Sequence, residues 1–362
     1  MRRWSRVVAA SLVGLGGACQ GGPVRVDGAV DPRVYTTCAD ETGAAAWRDA
    51  QAALARGDEV AALPLLRTAA ERCPRLVRAH LAYQDAAQRA GGEAERAMQA
   101  FYTADAVEAP HVRSYLRARL SDTSYAQSNA LQRILREDPS FAWAHLSLAR
   151  VNRRQGRLLQ AVDLFAAAIV HDPQLHEARL ERAQVLAELG REEEAAVDYR
   201  AYLAGRPEDT AAMRAFVTLL LYRLDRTDEA MQWLDRLETA QPGATAVRMD
   251  RAAALWRARR AREAVETYLA VLAEDPQSAR AALNIGYLYY EVAPRDAEER
   301  RRYWPCARAA FRLYLERAEP SDGVEQFERF LAVPYRLEVI AELLGSDPRA
   351  TVTLDDLRWP DR

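Results

Sequence analysis

Residues Ala142–Pro173, AWAHLSLARVNRRQGRLLQAVDLFAAAIVHDP, carry the pattern that decides how this chain folds. Trp143, Leu146, Leu148 and Ala149 recur at helical spacing before Gly156, and Ala161, Phe165 and Ala168 do so after it. Pro173 then stops the second helix, so the stretch reads as a helical hairpin. Working outward, prolines fall at Pro139, Pro173, Pro207, Pro242 and Pro276, at intervals of 34, 34, 35 and 34 residues. The next interval repeats the pattern with Ala183, Gly190, Ala195, Tyr199 and Pro207. Small Ala161 and Ala195 let helix backbones approach closely, Phe165 and Tyr199 fill the space between neighbouring hairpins, and Gly156 and Gly190 can take positive φ at the turn. Unrelated helices in a bundle would not require a fixed period.

Degenerate copies extend the array both ways. Forward, Ala230, Leu234 and Pro242 close one unit and Ala264, Tyr268 and Pro276 another; backward, Gly57, Ala62, Leu66, Ala69 and Cys73-Pro74 make a first unit, and Met98, Tyr102 and Pro110 a second. Pro110 to Pro139 spans only 29 residues, which predicts a short or irregular hairpin. The last unit begins with Leu283, Ile285, Gly286 and Tyr289, but Ala307 follows Tyr289 only after 18 residues. An insertion in the turn, about 292–305, is therefore expected, with Glu298–Trp304 inside it. After Pro320, residues 321–345 predict a capping helical segment, and the tail 346–362 with Trp359 has no assignment.

The Ala161-x3-Phe165 element followed by Pro173, with Gly156 at the turn, resembles the tetratricopeptide repeat family. The resemblance covers 43–320 as about eight repeats. It implies an all-α, right-handed superhelical solenoid with a concave groove lined by the first helix of each hairpin. It also implies a non-enzymatic adaptor holding a protein or peptide there. Candidate groove residues are Trp143, Arg150, Arg153, Arg154, Tyr222, Met249, Trp256, Arg257, Tyr287 and Tyr290, since aromatic and Arg side chains dominate interface energetics. Duller readings stand beside these. Trp143 and Trp256 fit inter-repeat packing, Arg153-Arg154 a solvated helix end, and Arg257, Arg259, Arg260 and Arg262 a solvated turn. The inserted Arg300-Arg301-Arg302-Tyr303-Trp304 either packs or binds, and Cys306 reads as a structural thiol.

Arg2, Arg3 and Arg6 precede a short apolar stretch, Val7–Ala18, so 1–18 reads as a signal peptide. The run Leu15-Gly16-Gly17-Ala18-Cys19 resembles a bacterial lipobox, with Gly16 where that motif usually has Leu. The expectation is a lipidated Cys19, a flexible tether over 19–42, and a place in the bacterial envelope; cleavage after Ala18 without acylation gives a soluble exported protein instead. A cytosolic regulator or chaperone-like adaptor is the alternative, and it requires the leader to be retained. Cys38 precedes the first hairpin and Cys73 ends it, so the two can pair in an oxidising compartment, or stay as buried thiols.

Chemistry finds little to stand on. All 50 basic residues are Arg, which excludes a P-loop, a Schiff-base lysine and a Ser-Lys dyad. The net charge of −2 and the lack of interleaved aromatics argue against nucleic acid as a partner. The five histidines are scattered, and Glu192-Glu193-Glu194 reads as a helix-start charge run. No HExxH, CxxC, GxSxG or GxGxxG motif occurs, so no catalytic residue, metal or cofactor is expected.

Overall fold

The structure, a computed structural model, describes residues 25–26, 29–30, 32–104, 109–121, 123–292, 297–318, 324–345 and 352–360. The expected leader 1–18 and Cys19 lie outside the described residues. Two compact bodies are formed, Met1–Leu175 and His176–Arg362.

In the first body the helices are α1 (Glu41–Ala55), α2 (Glu59–Arg72), α3 (Val77–Ala90), α4 (Gly92–Thr103), α5 (Pro110–Arg119), α6 (Ser124–Glu137), α7 (Ala142–Arg154) and α8 (Leu158–His171). In the second they are α9 (His176–Glu188), α10 (Glu192–Gly205), α11 (Thr210–Tyr222), α12 (Thr227–Ala240), α13 (Thr245–Arg257), α14 (Ala261–Glu274), α15 (Ala279–Val292), α16 (Ala297–Arg317) and α17 (Val324–Leu344). Odd and even helices pair as antiparallel hairpins. Within each body the second helix of one hairpin also packs on the first helix of the next, as in α2 on α3 and α14 on α15. The protein is thus an all-α array of stacked hairpins, with a two-stranded ribbon, Arg25–Val26 against Ala29–Val30, ahead of it.

The repeat positions hold this stacking together. Ala62, Leu66, Met98, Tyr102, Ala161, Phe165, Ala195, Ala230, Leu234, Ala264, Tyr268, Ala307 and Phe311 are all fully buried, and Tyr199 is nearly so. Burying each large side chain contributes roughly 1.5–3 kcal/mol, and the alanines let the helices close to the distance at which those contacts form. Gly286 serves the same end, since a Cβ there would lie 2.5 Å from the Phe311 ring. Buried polar groups are matched across neighbours: the Gln84 amide donates to the Leu116 carbonyl at 3.0 Å, and the Tyr115 and Ser147 hydroxyls meet at 2.9 Å.

The structure refines the sequence reading at three places. The short third hairpin is short in its first helix alone, where α5 has 10 residues and α6 has 14. The insertion in the last hairpin lengthens a helix rather than its turn. α16 runs for 21 residues where α8, α10, α12 and α14 run for 14, and Arg300–Trp304 are helical. Seven added residues are close to two helical turns, so Ala307 and Phe311 keep the face they would have had without them. Pro305 lies in the interior of α16, where it removes one backbone hydrogen bond of the helix ladder. Lastly, the described end of the 19–42 segment is docked: Pro32–Tyr35 form a 3₁₀ turn, and the buried Tyr35 ring meets Phe141 edge-on at 5.0 Å.

At the turn between paired helices the backbone enters the left-handed region. Gly57, Gly156 and Gly190 do so at φ 75°, 73° and 73°, but Asp225 and Arg259 occupy the equivalent places at φ 52° and 63°. A side chain there is strained by about 1–2 kcal/mol, partly offset by the greater backbone entropy that glycine loses on folding. Arg259→Gly should therefore stabilise the second body by about 0.5–1 kcal/mol, seen as a higher urea midpoint with unchanged slope.

Candidate binding surface

The first helices of the second body place their last residues one repeat apart on a shared edge. Tyr222 ends α11 and Arg257 ends α13, and the Arg257 guanidinium carbon sits 4.9 Å from the Tyr222 ring centre. Arg257 also pairs with Asp225 at 3.5 Å, and Tyr222 is 50% exposed. This exposed aromatic, backed by a guanidinium and a carboxylate, offers an apolar ring and mixed charge to a ligand. Asp225 did not stand out in the sequence; its signal is a non-glycine residue at the turn position its sister repeats fill with glycine.

The other predicted groove residues are dispersed. Trp143 is buried, with the Arg78 guanidinium carbon 5.9 Å from its ring centre, so it packs between repeats. Met249 is buried and Trp256 lies half-buried against the core. Arg150 and Arg153 are half-buried, while exposed Arg154 donates to Gln127 Oε1 at 3.0 Å. Tyr287 and Tyr290 lie half-buried against the core. Arg336 of α17 covers both, at 4.7 and 5.6 Å, and Tyr290 stacks on buried Trp304 at 5.3 Å with the rings 4° from parallel. Within Arg300–Trp304, Tyr303 and Trp304 pack on Tyr289 and Tyr290, Arg300 lies 5.3 Å from the Trp304 ring centre, and Arg301 is exposed.

Arginines act largely as struts between neighbouring hairpins. Arg89 meets Glu59 at 2.7 Å, Arg119 meets Asp85 at 3.0 Å, Arg223 meets Glu192 at 3.5 Å and Arg226 meets Glu193 at 2.7 Å. The predicted charge run Glu192-Glu193-Glu194 is thereby matched, Glu194 pairing with Arg191 at 2.7 Å. In the run after α13, Arg260 pairs with Glu263 and Arg262 with Glu266 along α14, as a solvated helix face does. Buried Asp198 is gripped by half-buried Arg182 with two bonds of 2.6 and 2.7 Å, tying α9 to α10.

The histidines serve packing. His80 is fully buried, with Nδ1 3.0 Å from the Tyr102 hydroxyl and Nε2 3.3 Å from the Pro74 carbonyl. Burial disfavours its charged form and lowers its pKa from 6.5 to about 4, against the opposing pull of nearby carbonyls. His145 and His171 stack at 5.3 Å, and burial, with the neighbouring His171, pushes His145 down while the Pro139 carbonyl pulls it up. Among the described residues no cluster of three or more His, Cys, Asp or Glu could hold a metal ion. Nor, among them, is any helix long and apolar enough to cross a membrane.

The profile described as tetratricopeptide repeat matches residues 117–176, 153–210 and 249–303, the segments whose hairpins were built above. Residues 117–210 and 249–303 are thus tetratricopeptide repeats. No curated protein matches the chain. Among solved structures, the repeat protein is similar to YrrB, described as a TPR protein with an unusual peptide-binding site, at 19% identity over 57% of this chain and 98% of that one, with a TM-score of 0.43. It is also similar to a tetratricopeptide repeat protein of Parabacteroides merdae, at 21% identity over 64% and 98% with a TM-score of 0.47. A third is PilW, described as a type IV pilus biogenesis factor, at 20% identity over 56% and 86% with a TM-score of 0.41. The tetratricopeptide fold supports a protein–protein interaction scaffold.

Two measurements separate surface from core in this repeat protein. Tyr222→Ala should change stability by less than about 1 kcal/mol, and Trp304→Ala should cost roughly 3 kcal/mol, both read from urea unfolding. The second concerns pH. Between pH 6.5 and about 4 the unfolded chain binds a proton at His80 that the folded chain does not, so His80 lowers stability as the pH falls through that window. The stability advantage of wild type over His80→Gln should shrink by on the order of 3 kcal/mol from pH 7 to pH 4.

Proposed function

We propose that this repeat protein is an exported, non-enzymatic adaptor of a bacterial envelope, anchored through an acylated Cys19. It presents the first helices of its repeats to a partner protein, and Tyr222, Asp225 and Arg257 form the exposed part of that surface. The observation that carries export is the bond between Cys38 and Cys73, 35 residues apart with Cα atoms 5.3 Å from each other. A structural disulfide persists in an oxidising compartment and rarely in a reducing one. It sits where the chain enters the first hairpin, between the segment before α1 and the end of α2, and on the chain-entropy estimate it contributes roughly 4 kcal/mol. Arg2, Arg3, Arg6 and the apolar Val7–Ala18 ahead of Cys19 supply the leader that export needs. The absence of lysine and of recognisable catalytic motifs supports the non-enzymatic part of the reading.

The test is the intact mass of the protein recovered from membranes, with and without reductant. A chain beginning at acylated Cys19 that gains two hydrogens on reduction is the expected result, with a lower melting temperature once reduced. A soluble, unacylated chain retaining Met1–Ala18 would overturn export and favour a cytosolic adaptor.

A further inference from the structure

The C-terminal tail, which the repeat pattern leaves unassigned, occupies a cradle built by the helical insertion. Leu357 is fully buried, and Trp359 lies against Tyr289 of α15 at 5.5 Å and Tyr303 of α16 at 5.2 Å. Arg358 between them is exposed and extended, with φ −67° and ψ 151°. Leu357 ends the 3₁₀ turn Asp355–Leu357 and the backbone becomes extended at Arg358, so that Leu357 is buried, Arg358 exposed and Trp359 half-buried.

The main chain is read as well. The Tyr289 hydroxyl donates to the Leu357 carbonyl at 2.9 Å, the Cys306 thiol reaches the Arg358 carbonyl at 3.7 Å, and Arg302 Nη2 donates to the Pro360 carbonyl at 3.0 Å. Three carbonyls within four residues are each met by a side chain, with pockets for Leu357 and Trp359. This combination of main-chain bonds for affinity and alternate-residue pockets for selectivity is how peptide sites work.

Two of the donors and packing groups, Arg302 and Tyr303, belong to the two turns that lengthen α16 beyond its sister helices. The repeat core at Ala307, Phe311 and Gly286 is built as in the other hairpins and needs neither the extension nor the tail. The extension is therefore explained by what it holds.

We propose that α15 and the lengthened start of α16 form a peptide-recognition site for a Leu-x-Trp-Pro segment leaving a 3₁₀ turn, and that the chain's own Leu357–Pro360 is its resident ligand, held as a detachable latch. The tether keeps the latch at high effective concentration, so the intact chain keeps the site filled. The proposal does not rest on export or on the Tyr222 surface.

Cys306 reports on the latch, since the tail covers its thiol and Cys38 and Cys73 are bonded to each other. In a full-length Cys19→Ser chain, labelling of Cys306 by Ellman's reagent should be slow. Adding Trp359→Ala should speed it about ten-fold or more, because the closed state then opens more often. Excess synthetic peptide of residues 352–362 should restore protection, and the same peptide with Ala for Trp359 should not. No acceleration with an unchanged helical circular dichroism signal, or acceleration that the peptide fails to reverse, overturns the proposal. If Trp359→Ala loses helix, Arg302→Gln, which removes the donor to Pro360 and the guanidinium over the Tyr303 ring, decides. Acceleration reversed by the peptide upholds the latch, and no acceleration overturns it.

Discussion

A hairpin of two helices about fourteen residues long has more apolar face than it can bury alone, and the rest of this structure follows from the need to give each hairpin a neighbour. The device that answers it is an alanine followed four residues later by a large side chain. Ala161 with Phe165, Ala195 with Tyr199 and Ala264 with Tyr268 bring the helices close and then fill the space left over. Because each contact reaches only the adjacent hairpin, stability within each body accumulates repeat by repeat.

Charge is organised on the same period. Arg89–Glu59, Arg119–Asp85, Arg223–Glu192 and Arg226–Glu193 join residues roughly one repeat apart, so a chain rich in arginine presents few clusters of unopposed positive charge. Such partly exposed pairs add little stability individually. Their use is orientation, clearest in Arg200–Glu229, where Nε and Nη2 meet the two carboxylate oxygens at 2.7 and 2.8 Å and so favour one register of hairpin on hairpin over its neighbours.

An array with local contacts has exposed ends, and both ends here are closed by segments outside the repeats. At the start, Cys38 is bonded to Cys73 at the end of α2. At the finish, Arg336 of α17 covers Tyr287 and Tyr290, and the tail lays Trp359 across Tyr289 and Tyr303. The two closures differ in kind, one covalent and one made of aromatic contacts and carbonyl bonds.

The array itself was legible in sequence, because local periodicity reports local packing: Pro139 to Pro276 mark the hairpin ends, and Ala161, Phe165 and Gly156 mark the close approach and the turn. The insertion was legible only as added length. Whether seven residues make a loop or two more turns depends on whether the next face stays in phase, and the packing of Ala307 and Phe311 decides that. The groove was legible least. An aromatic on a first helix can face a ligand or a neighbouring helix with the same spacing, so Tyr222 stays exposed while Trp143 packs under Arg78 of α3 and Tyr290 stacks on Trp304 of the lengthened α16. The sequence by itself determined the repeat, its length and its buried positions, since those contacts lie within one or two hairpins. Tertiary structure alone decided which surfaces remain open and where the tail binds, since those depend on residues brought together from separate elements with no periodic signal to join them.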